Sequence, residues 1–281
     1  MKISIITTTF NSAAHIERNL KSVNEQSHQD LEQIFIDNLS SDGTLDLIQS
    51  QSKREHRIIS EKDRGISDAF NKGILAANGE IIAILNSDDA FYSSESLTRV
   101  HDAFTQDSTL EFVFGDMLFI DPDYGTNIRR PLLCPITEAM PYNHPAFFVR
   151  KSFYEKLGLF DEAYRYAMDF ELIARMYQSP TEVRLKGAQI HGEPLAIMYA
   201  GGASWKHELR ALDEIERALK NLRLWNKDAD RALKHRKFRV RMKSLLGPLQ
   251  IHFLVRIWRA WKWKQDHPAS NSTQPNKTTV L

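Results

Sequence analysis

One short segment constrains the fold of this chain more than any other. Ile81–Leu85 is a continuous apolar run that stops at Asn86-Ser87-Asp88-Asp89. Such a run is typical of a parallel strand that is buried on both faces. Ligands of open α/β sheets bind beyond the carboxyl ends of these strands. Because two adjacent carboxylates repel each other, we expect a divalent cation at this position, and a nucleotide diphosphate bound to that cation.

Strand and helix patterns alternate through the first half of the chain, which predicts βαβ units and an α/β fold with a mostly parallel sheet. The predicted strands are Lys2–Thr9, Gln33–Asp37, Arg57–Ser60 and Ile81–Leu85, and the predicted helices are Ala13–Gln26, a segment opened by Asp42-Gly43-Thr44, and Ile66–Asn78.

The pattern changes after a further predicted helix at Ser94–Phe104. Four prolines make Pro131–Pro145 a long loop over the site. The remaining predicted strands are Glu111–Ile120, which pairs with Thr126–Arg130, then Phe147–Arg150 and Gly187–Ala200. The remaining predicted helices are Lys151–Leu157, Asp169–Tyr177 and a long amphipathic helix at Trp205–Trp225.

Composition narrows the class of protein. The net charge is only +1, but residues 231–264 contain eleven Lys or Arg and no Asp or Glu, so the rest of the chain carries −10. An acidic body argues against nucleic acid as a partner. The single cysteine, Cys134, excludes an intramolecular disulfide and fits a reducing compartment. We expect no signal peptide and no membrane span, since no segment approaches ~20 apolar residues.

The basic C-terminal part predicts contact with an anionic surface. Apolar residues recur at helical spacing from Leu246 to Trp261, which is typical of an interfacial membrane helix. The alternative is a helix that packs on the body and exposes a solvated basic face. We therefore divide the chain into a catalytic domain at 1–225, a basic amphipathic extension at 226–265 and a disordered tail at 266–281.

Several polar segments follow the predicted strands. Asp37 is placed to accept hydrogen bonds from a base or ribose, or to open an Asx turn. An NAD site would need a glycine-rich first turn, and Thr8–Ala14 contains no glycine. Asp42 is predicted to cap a helix. Arg64 and Lys72 are placed either to bind phosphate or to form internal ion pairs.

Two further carboxylate positions are informative. If Asn86–Asp89 is extended, Asn86 and Asp88 face the same way and Asp89 turns away. Asp169 opens a predicted helix, so it is a helix cap or, in a pocket that raises its pKa, a general base.

Taken together, these segments resemble family 2 glycosyltransferases of the GT-A fold, above all bacterial enzymes that build O-antigen, capsule or exopolysaccharide. The matching motifs, which span roughly residues 1–225, are Ile5–Asn11, Ile36–Thr44, Asp63–Gly73, Leu85–Asp89, Asn143–Pro145 with Tyr154–Asp161, and Asp169–Leu172.

The resemblance implies roles for individual residues. Asp169 would be the catalytic base, and Asp88 and Asp89 would hold Mg²⁺ or Mn²⁺. Asp37 would contact the base, and Gly115, Asp116 and His144 would lie on the acceptor side. The implied donor-binding residues are Thr8, Phe10, Asn11, Asp37, Asp63, Arg64, Asn71, Asn86, Ser87 and Asp88. The chain departs from the family pattern at Asn86, which replaces a carboxylate, and at Met168, which replaces an acid.

The function that the resemblance implies is inverting transfer of a sugar from a nucleotide-diphosphate donor, a UDP-sugar, to a saccharide or lipid-linked acceptor. The enzyme would work in the cytoplasm at the inner face of the plasma membrane. Asn86 and Met168 motivate one alternative, a nucleotide-sugar-binding protein with feeble or lost catalysis. A nucleotidyltransferase or an NAD enzyme on a similar sheet is another.

Overall fold

The structure, a computed structural model, describes residues 1–122, 125–178 and 186–246. Its strands are β1 (Ile3–Thr9), β2 (Leu31–Asp37), β3 (Glu55–Ser60), β4 (Ile81–Ile84), β5 (Ala90–Phe91), β6 (Phe112–Gly115), β7 (Met117–Asp121), β8 (Gly125–Arg129), β9 (Phe147–Arg150), β10 (Gly187–Ile190) and β11 (Ala196–Tyr199). Its helices are α1 (Ile16–Asn24), α2 (Thr44–Gln51), α3 (Ile66–Ala76), α4 (Ser96–Gln106), α5 (Lys151–Leu157), α6 (Met168–Gln178), α7 (Ala203–Lys206), α8 (Glu208–Asn221) and α9 (Lys227–Leu246), with a 3-10 turn at His144–Ala146.

Within these ranges, seven strands form one sheet in the order β10-β6-β9-β4-β1-β2-β3. Every neighbouring pair is parallel except those of β9, which is antiparallel to β4 and β6. Successive residues of β1 belong to different apolar clusters, because Ile5 packs on one face of the sheet and Ile6 on the other. Burial on both faces explains the continuous apolar runs, and the predicted α/β fold is confirmed.

A smaller sheet, β5-β11-β7-β8, lies beside the large one. Two single strands predicted from sequence are wrong here. Glu111–Ile120 divides at Asp116 into β6 of the large sheet and β7 of the small sheet. Gly187–Ala200 divides into β10 and β11 through a turn in which Gly192 has φ +112°. In the first case the apolar pattern resumes directly after Asp116, whereas in the second the polar residues His191–Pro194 mark the point where the chain changes sheets.

The C-terminal helices also differ from expectation. The helix predicted at Trp205–Trp225 is interrupted at His207, so α7 and α8 are separate. Ala229 and Leu233 of α9 are buried in the main apolar cluster, which anchors the start of the basic extension to the body. The amphipathic segment predicted at Leu246–Trp261 and the tail predicted at 266–281 lie outside the described residues, apart from Leu246 itself.

Candidate active site

The sheet topology brings most of the predicted site segments to one edge. Because β1, β2, β3, β4 and β6 are parallel, their carboxyl ends meet at a common edge, and the antiparallel β9 begins there. Thr9, Asp37, Ser60, Asn86 and Gly115 therefore lie along this edge. This convergence is what the sequence predicts, since ligands of such sheets bind beyond the carboxyl ends of the strands.

Asp37 is fully buried at the end of β2 and is surrounded by donors. Its Oδ1 accepts hydrogen bonds from Thr9 Oγ1 at 2.8 Å and Ser40 Oγ at 2.5 Å, and its Oδ2 accepts from Ser40 N at 3.0 Å and Ser60 Oγ at 2.7 Å. Burial raises the pKa of Asp37, but these hydrogen bonds lower it by more. Asp37 thus ties three strand ends together, and a ligand would have to share its oxygens with these donors.

The loops after β1 and β2 are joined by several hydrogen bonds. Asn11 N donates to Ser40 Oγ at 2.8 Å, and Ser41 N donates to Asn11 Oδ1 at 3.0 Å. Asp42, predicted as a helix cap, accepts from Thr44 N and also from Ala13 N, while Gly43 itself is the N-cap residue of α2. These hydrogen bonds fix the position of the two loops relative to each other.

Asp63 and Arg64 lie beyond the end of β3. Asp63 N donates to Asn38 Oδ1 at 3.0 Å, and Asp63 Oδ1 accepts from Gly65 N at 2.9 Å. Arg64 forms ion pairs with Asp68 at 3.0 Å and Glu162 at 2.9 Å, although its side chain is 72% exposed.

Lys72 continues this network, since its Nζ pairs with Glu61 at 2.7 Å and Asp68 at 3.3 Å. Of the two alternatives weighed for Arg64 and Lys72, internal ion pairs are therefore present in this structure. Because Arg64 is still largely exposed, its guanidinium keeps a surface that faces solvent.

Asn71, implied as a donor contact, is buried and bonded at both ends of its amide. Nδ2 donates to Phe160 O and Oδ1 accepts from Phe160 N, both at 2.9 Å. Its polar atoms are thus used by the loop between α5 and α6. The geometry gives Asn71 a positioning role for the segment that leads to Asp169.

The segment Asn86–Asp89 is a turn and not an extended strand, because Asp89 N donates to Asn86 O at 3.0 Å. The expectation that alternate side chains share a face therefore loses its basis. Asn86 Nδ2 lies 3.5 Å from Asp89 Oδ2, and Asn19 Nδ2 holds the turn through Asn86 O at 2.9 Å. Ser87 Oγ contacts Ser12 Oγ at 3.0 Å, which connects this turn to the β1 loop.

The two carboxylates of this turn differ in environment. Asp89 is 2% exposed and accepts a hydrogen bond from Tyr199 N–H, whereas Asp88 is only half-buried. Burial and the negative charge of Asp88 raise the pKa of Asp89 well above its ordinary value. The pair thus holds excess negative charge that a cation would neutralise.

A divalent cation fits the donor set at this turn. No group of three His, Cys, Asp or Glu side chains suited to a metal occurs in the described ranges, so within them this turn offers two carboxylates. Mg²⁺ is typically held by one or two carboxylates together with substrate phosphates and water. Asp88 and Asp89 would hold the metal, and a bound diphosphate would complete its ligands.

Sequence reasoning missed three neighbours of this turn. Arg18 of α1 places its positive charge near Asp89, and its guanidinium lies 3.8 Å above the ring of Tyr199. A Cβ atom added to Gly202 would lie 4.0 Å from Asp88 Oδ2. In the sequence, Arg18 is visible as a cation in the first turn of α1, and Gly202 as part of a Gly-Gly pair after β11. Neither signal indicates that the residue lies near Asp88 or Asp89.

Asp169 lies in the first turn of α6 and faces His144 in a small cavity, which Phe160 also lines. Asp169 Oδ1 accepts from Phe170 N at 2.7 Å. Burial lowers the pKa of His144, while the negative charge of Asp169 opposes that shift. The cavity, of about 20 Å³, is large enough to admit a water molecule beside Asp169.

Glu214 of α8 holds the segment that directly precedes α6. Its carboxylate accepts hydrogen bonds from the backbone N–H groups of Arg165, Tyr166 and Ala167 at 2.7–3.0 Å. These residues directly precede Met168, which is buried where the family pattern has an acid. The loop before Asp169 is therefore fixed by Asn71 on one side and Glu214 on the other.

Gly115 and Asp116 lie at the end of β6. A Cβ on Gly115 would come within 2.6 Å of Leu195 Cδ1, so a larger residue would require the Leu195 side chain to shift. Burial raises the pKa of Asp116, and the positive charges of Arg130, His191 and Arg99 oppose that shift. Arg130 Nε lies 3.8 Å from Asp116 Oδ2. The Asp116 carboxylate is thus half-buried at the edge of the sheet that also carries the Asn86–Asp89 turn.

The mostly parallel sheet with an acidic carboxyl edge is a fold of the GT-A type. The family model of glycosyl transferase family 2 matches residues 4–173, and the chain belongs to this family. A PGL/p-HBAD biosynthesis glycosyltransferase of Mycobacterium bovis is 29% identical over 186 residues, which cover 64% of this chain and 71% of that protein.

Solved structures support the same fold. Staphylococcus aureus TarS 1-349 in complex with UDP-GlcNAc has a TM-score of 0.63 at 18% identity, covering 83% of this chain and 70% of that one. The mannosyltransferase PcManGT of Pyrobaculum calidifontis, in complex with GDP-Man and Mn²⁺, has a TM-score of 0.59 at 18% identity, covering 94% and 84%.

Proposed function

We propose that this glycosyltransferase moves a sugar from a UDP-sugar to a hydroxyl of a saccharide or lipid-linked acceptor, with inversion at the anomeric carbon. The observation that carries the proposal is the placement of Asp88 and Asp89 at the carboxyl edge of the sheet where the nucleotide-binding motifs also end. The TarS structure with UDP-GlcNAc supports a nucleotide-sugar donor.

On the donor side, Thr8, Phe10 and Asn11 of the first loop and Asp37 of the second would form the nucleoside site. Asp63 and the exposed face of Arg64 would border it, and Asn86, Ser87 and Asp88 would lie against the diphosphate. Asn71 would not contact the donor but would position the loop that leads to Asp169, because its amide is bonded to Phe160.

Asp88 and Asp89 would hold Mg²⁺ or Mn²⁺, as Mn²⁺ in the PcManGT complex suggests by analogy. Asp88 is the better candidate for the direct ligand, since Asp89 is buried behind Tyr199. When bound, the cation would neutralise charge on the leaving diphosphate.

Asp169 would take the proton from the acceptor hydroxyl as its oxygen attacks the anomeric carbon, in a single displacement. His144, whose pKa is lowered by burial, would stay neutral beside it and orient the carboxylate. Holding the acceptor oxygen in line with the donor supplies much of the rate, and Gly115 and Asp116 would border the acceptor.

We further propose that residues 1–225 are the catalytic domain and that the basic extension at 226–265 attaches the enzyme to the anionic cytoplasmic face of the plasma membrane. Within the described ranges, no helix is both long and apolar enough to cross a bilayer. In α9, Phe238 is 62% exposed. The groove beside it is lined by the cations Lys234, Lys237 and Arg241 and by the acids Asp230 and Glu216. An exposed aromatic ring beside cations suits a headgroup surface.

Asn86 and the buried Met168 still support a second candidate, a nucleotide-sugar-binding protein with feeble or lost catalysis. Membership of a glycosyltransferase family argues against a nucleotidyltransferase or an NAD enzyme. Loss of transfer in Asp169→Asn, with UDP binding retained, would distinguish a catalyst from a binding protein.

The donor site is tested by calorimetric titration of UDP in the presence of Mn²⁺ and then of EDTA. We expect micromolar binding with the metal, which is lost with EDTA and in Asp88→Ala. Asp102→Ala removes an exposed acid of α4 and should leave binding unchanged. No binding of UDP under either condition would contradict the proposed donor.

A further inference from the structure

One face of α8 is directed at the segment that precedes α6. Glu214, Arg217 and Asn221 follow one another at intervals of three and four residues, so they lie on the same side of the helix. Arg217 Nη2 donates to Ala163 O at 2.6 Å, and Asn221 Nδ2 donates to Tyr164 Oη at 3.3 Å. Together with the bonds of Glu214, these contacts attach the segment to α8 at several points.

Glu214 occupies an anion-binding site made by the backbone. Arg165, Tyr166 and Ala167 are consecutive, and their N–H groups donate to the Glu214 carboxylate at 2.7–3.0 Å. Successive N–H groups that converge in this way form a nest, which suits a negative charge. Hydrogen bonds to an ionised acceptor are about twice as strong as neutral ones. The carboxylate therefore orients the segment and neutralises the partial positive charge of its N–H groups.

Asp169 lies only two residues beyond this nest. Its side chain faces His144 in the small cavity, and its Oδ1 accepts from Phe170 N at 2.7 Å. Without Glu214, three N–H groups would lose their acceptor directly before α6, and they would attract another carboxylate. Asp169 is the nearest one along the chain. Glu214 thus keeps the segment in place and leaves Asp169 directed at the cavity.

A different face of α8 is held by α9. Lys237 of α9 pairs with Asp213 and with Glu216 of α8, at 2.7 Å in each case. Leu212 of α8 and Leu233 of α9 are buried in the same apolar cluster. The position of α8, and with it that of the segment before α6, therefore depends on α9.

We propose that Glu214 is a positioning residue for Asp169, and that α9 belongs to the catalytic unit because it holds the helix that carries Glu214. The inference rests on the proposed function, since it assumes that Asp169 is the base. Glu214 would touch neither the donor nor the acceptor. It would act on the turnover number kcat and not on nucleotide binding, because a displacement of about 1 Å at the base can lower the rate by about 100-fold.

The test compares Glu214→Gln with a matched control, Glu32→Gln. Both substitutions keep the size of the side chain and remove its charge. Glu32 is buried and also accepts a backbone N–H, that of Asn78 at 2.7 Å, but it lies near the start of β2, far along the strand from the carboxyl edge. Both variants should lose stability, whereas only Glu214→Gln should lose turnover. A third variant, Lys237→Met, tests the contribution of α9 and should stay folded, because it removes surface ion pairs.

Turnover is measured as release of UDP from UDP-glucose, UDP-galactose and UDP-GlcNAc, with water in place of the acceptor hydroxyl, at a temperature where every variant is folded. We expect Glu214→Gln to lower kcat by about tenfold to 100-fold, with unchanged UDP affinity in calorimetric titration. Lys237→Met should lower kcat by about twofold to fivefold, and Glu32→Gln should have the kcat of the parent protein.

Amide hydrogen exchange gives a second readout that needs no substrate. The N–H groups of Arg165, Tyr166 and Ala167 should exchange at least about tenfold faster in Glu214→Gln, because their charged acceptor is lost. The same three groups should exchange faster in Lys237→Met as well, to a smaller extent, and should be unaffected in Glu32→Gln.

Three results would overturn the role of Glu214. These are unchanged kcat in Glu214→Gln, an equal loss of kcat in Glu32→Gln, or unchanged exchange at residues 165–167. Parental kcat and exchange in Lys237→Met would exclude α9 from the catalytic unit. Failure of the parent protein to release UDP, or unchanged turnover in Asp169→Asn, would instead refute the proposed function. The exchange data would still decide whether Glu214 holds the segment, so the two failures are distinguishable.

Discussion

Replacing Asn71 by alanine should destabilise the fold without weakening nucleotide binding. The side chain is 7% exposed, and its amide bonds the N–H and the C=O of Phe160, each at 2.9 Å. The substitution leaves both backbone groups without a partner in a buried loop. At about 1–3 kcal/mol for each of the two unsatisfied groups, we expect a loss of about 2–6 kcal/mol in the free energy of unfolding. This corresponds to roughly 5–20 °C in the melting temperature.

The assay combines urea unfolding with calorimetric titration of UDP at a temperature where the variant is folded. Asn24→Ala is a matched control, because the Asn24 amide also binds a carbonyl and an N–H, those of Gln51 and Lys53, both at 2.8 Å. Asn24 is half-buried, so water can replace its hydrogen bonds and the loss should be only about 1 kcal/mol.

The opposite result would refute this reasoning. If Asn71→Ala is as stable as the parent protein but binds UDP tenfold more weakly, Asn71 contacts the donor directly, as the family resemblance implies. A fall in both stability and sugar transfer with unchanged UDP binding would instead support the reasoning, because it would show that Asn71 holds the loop before Asp169 in place.

Three further expectations concern catalysis, acid stability and membrane contact. Asp169→Asn should lower sugar transfer by about 10²–10⁴-fold in a radiolabelled-donor assay, with UDP binding unchanged, because it removes the base; unchanged transfer would exclude Asp169 from that role. The pKa of Asp37 is lowered in the folded protein, so the unfolded chain binds the proton of this carboxyl more tightly. The ionised Asp37 therefore contributes its full stability above pH 3.8, its ordinary pKa, and this stability is lost as the pH falls below that value. Asp37→Asn should therefore flatten the decline in stability between about pH 4 and pH 2, measured by urea unfolding, whereas a parallel decline in both proteins would contradict the assignment. Arg239→Glu with Arg241→Glu should weaken sedimentation with anionic vesicles by at least about tenfold, at about 1 kcal/mol per cation; equal binding to neutral vesicles by the parent protein would argue against an electrostatic contact.

Much of the fold was predictable because its determinants are local. A strand buried on both faces needs a continuous apolar run, so β1 and β4 are visible in the sequence. At Asp116 the chain passes from one sheet to the other, but apolar residues continue on both sides of it. The sequence therefore gives no sign of the boundary between the two strands. The break at His207 escaped prediction because the helical spacing of Trp205, Leu209 and Leu212 continues across it.

The candidate site was predictable as a location but not as a set of contacts. Parallel strands bring their carboxyl ends together, so the order of motifs along the chain predicts that Asp37, Asp88 and Asp89 lie at one edge. The burial of Asp89 against Tyr199 and the bonds between the Asn71 amide and Phe160 are visible only in the folded chain. These partners lie 110 and 89 residues away along the chain. The spacing of apolar residues indicates which face of a helix or strand is buried. The hydrogen-bond partner of a polar group depends instead on which distant loop packs beside it.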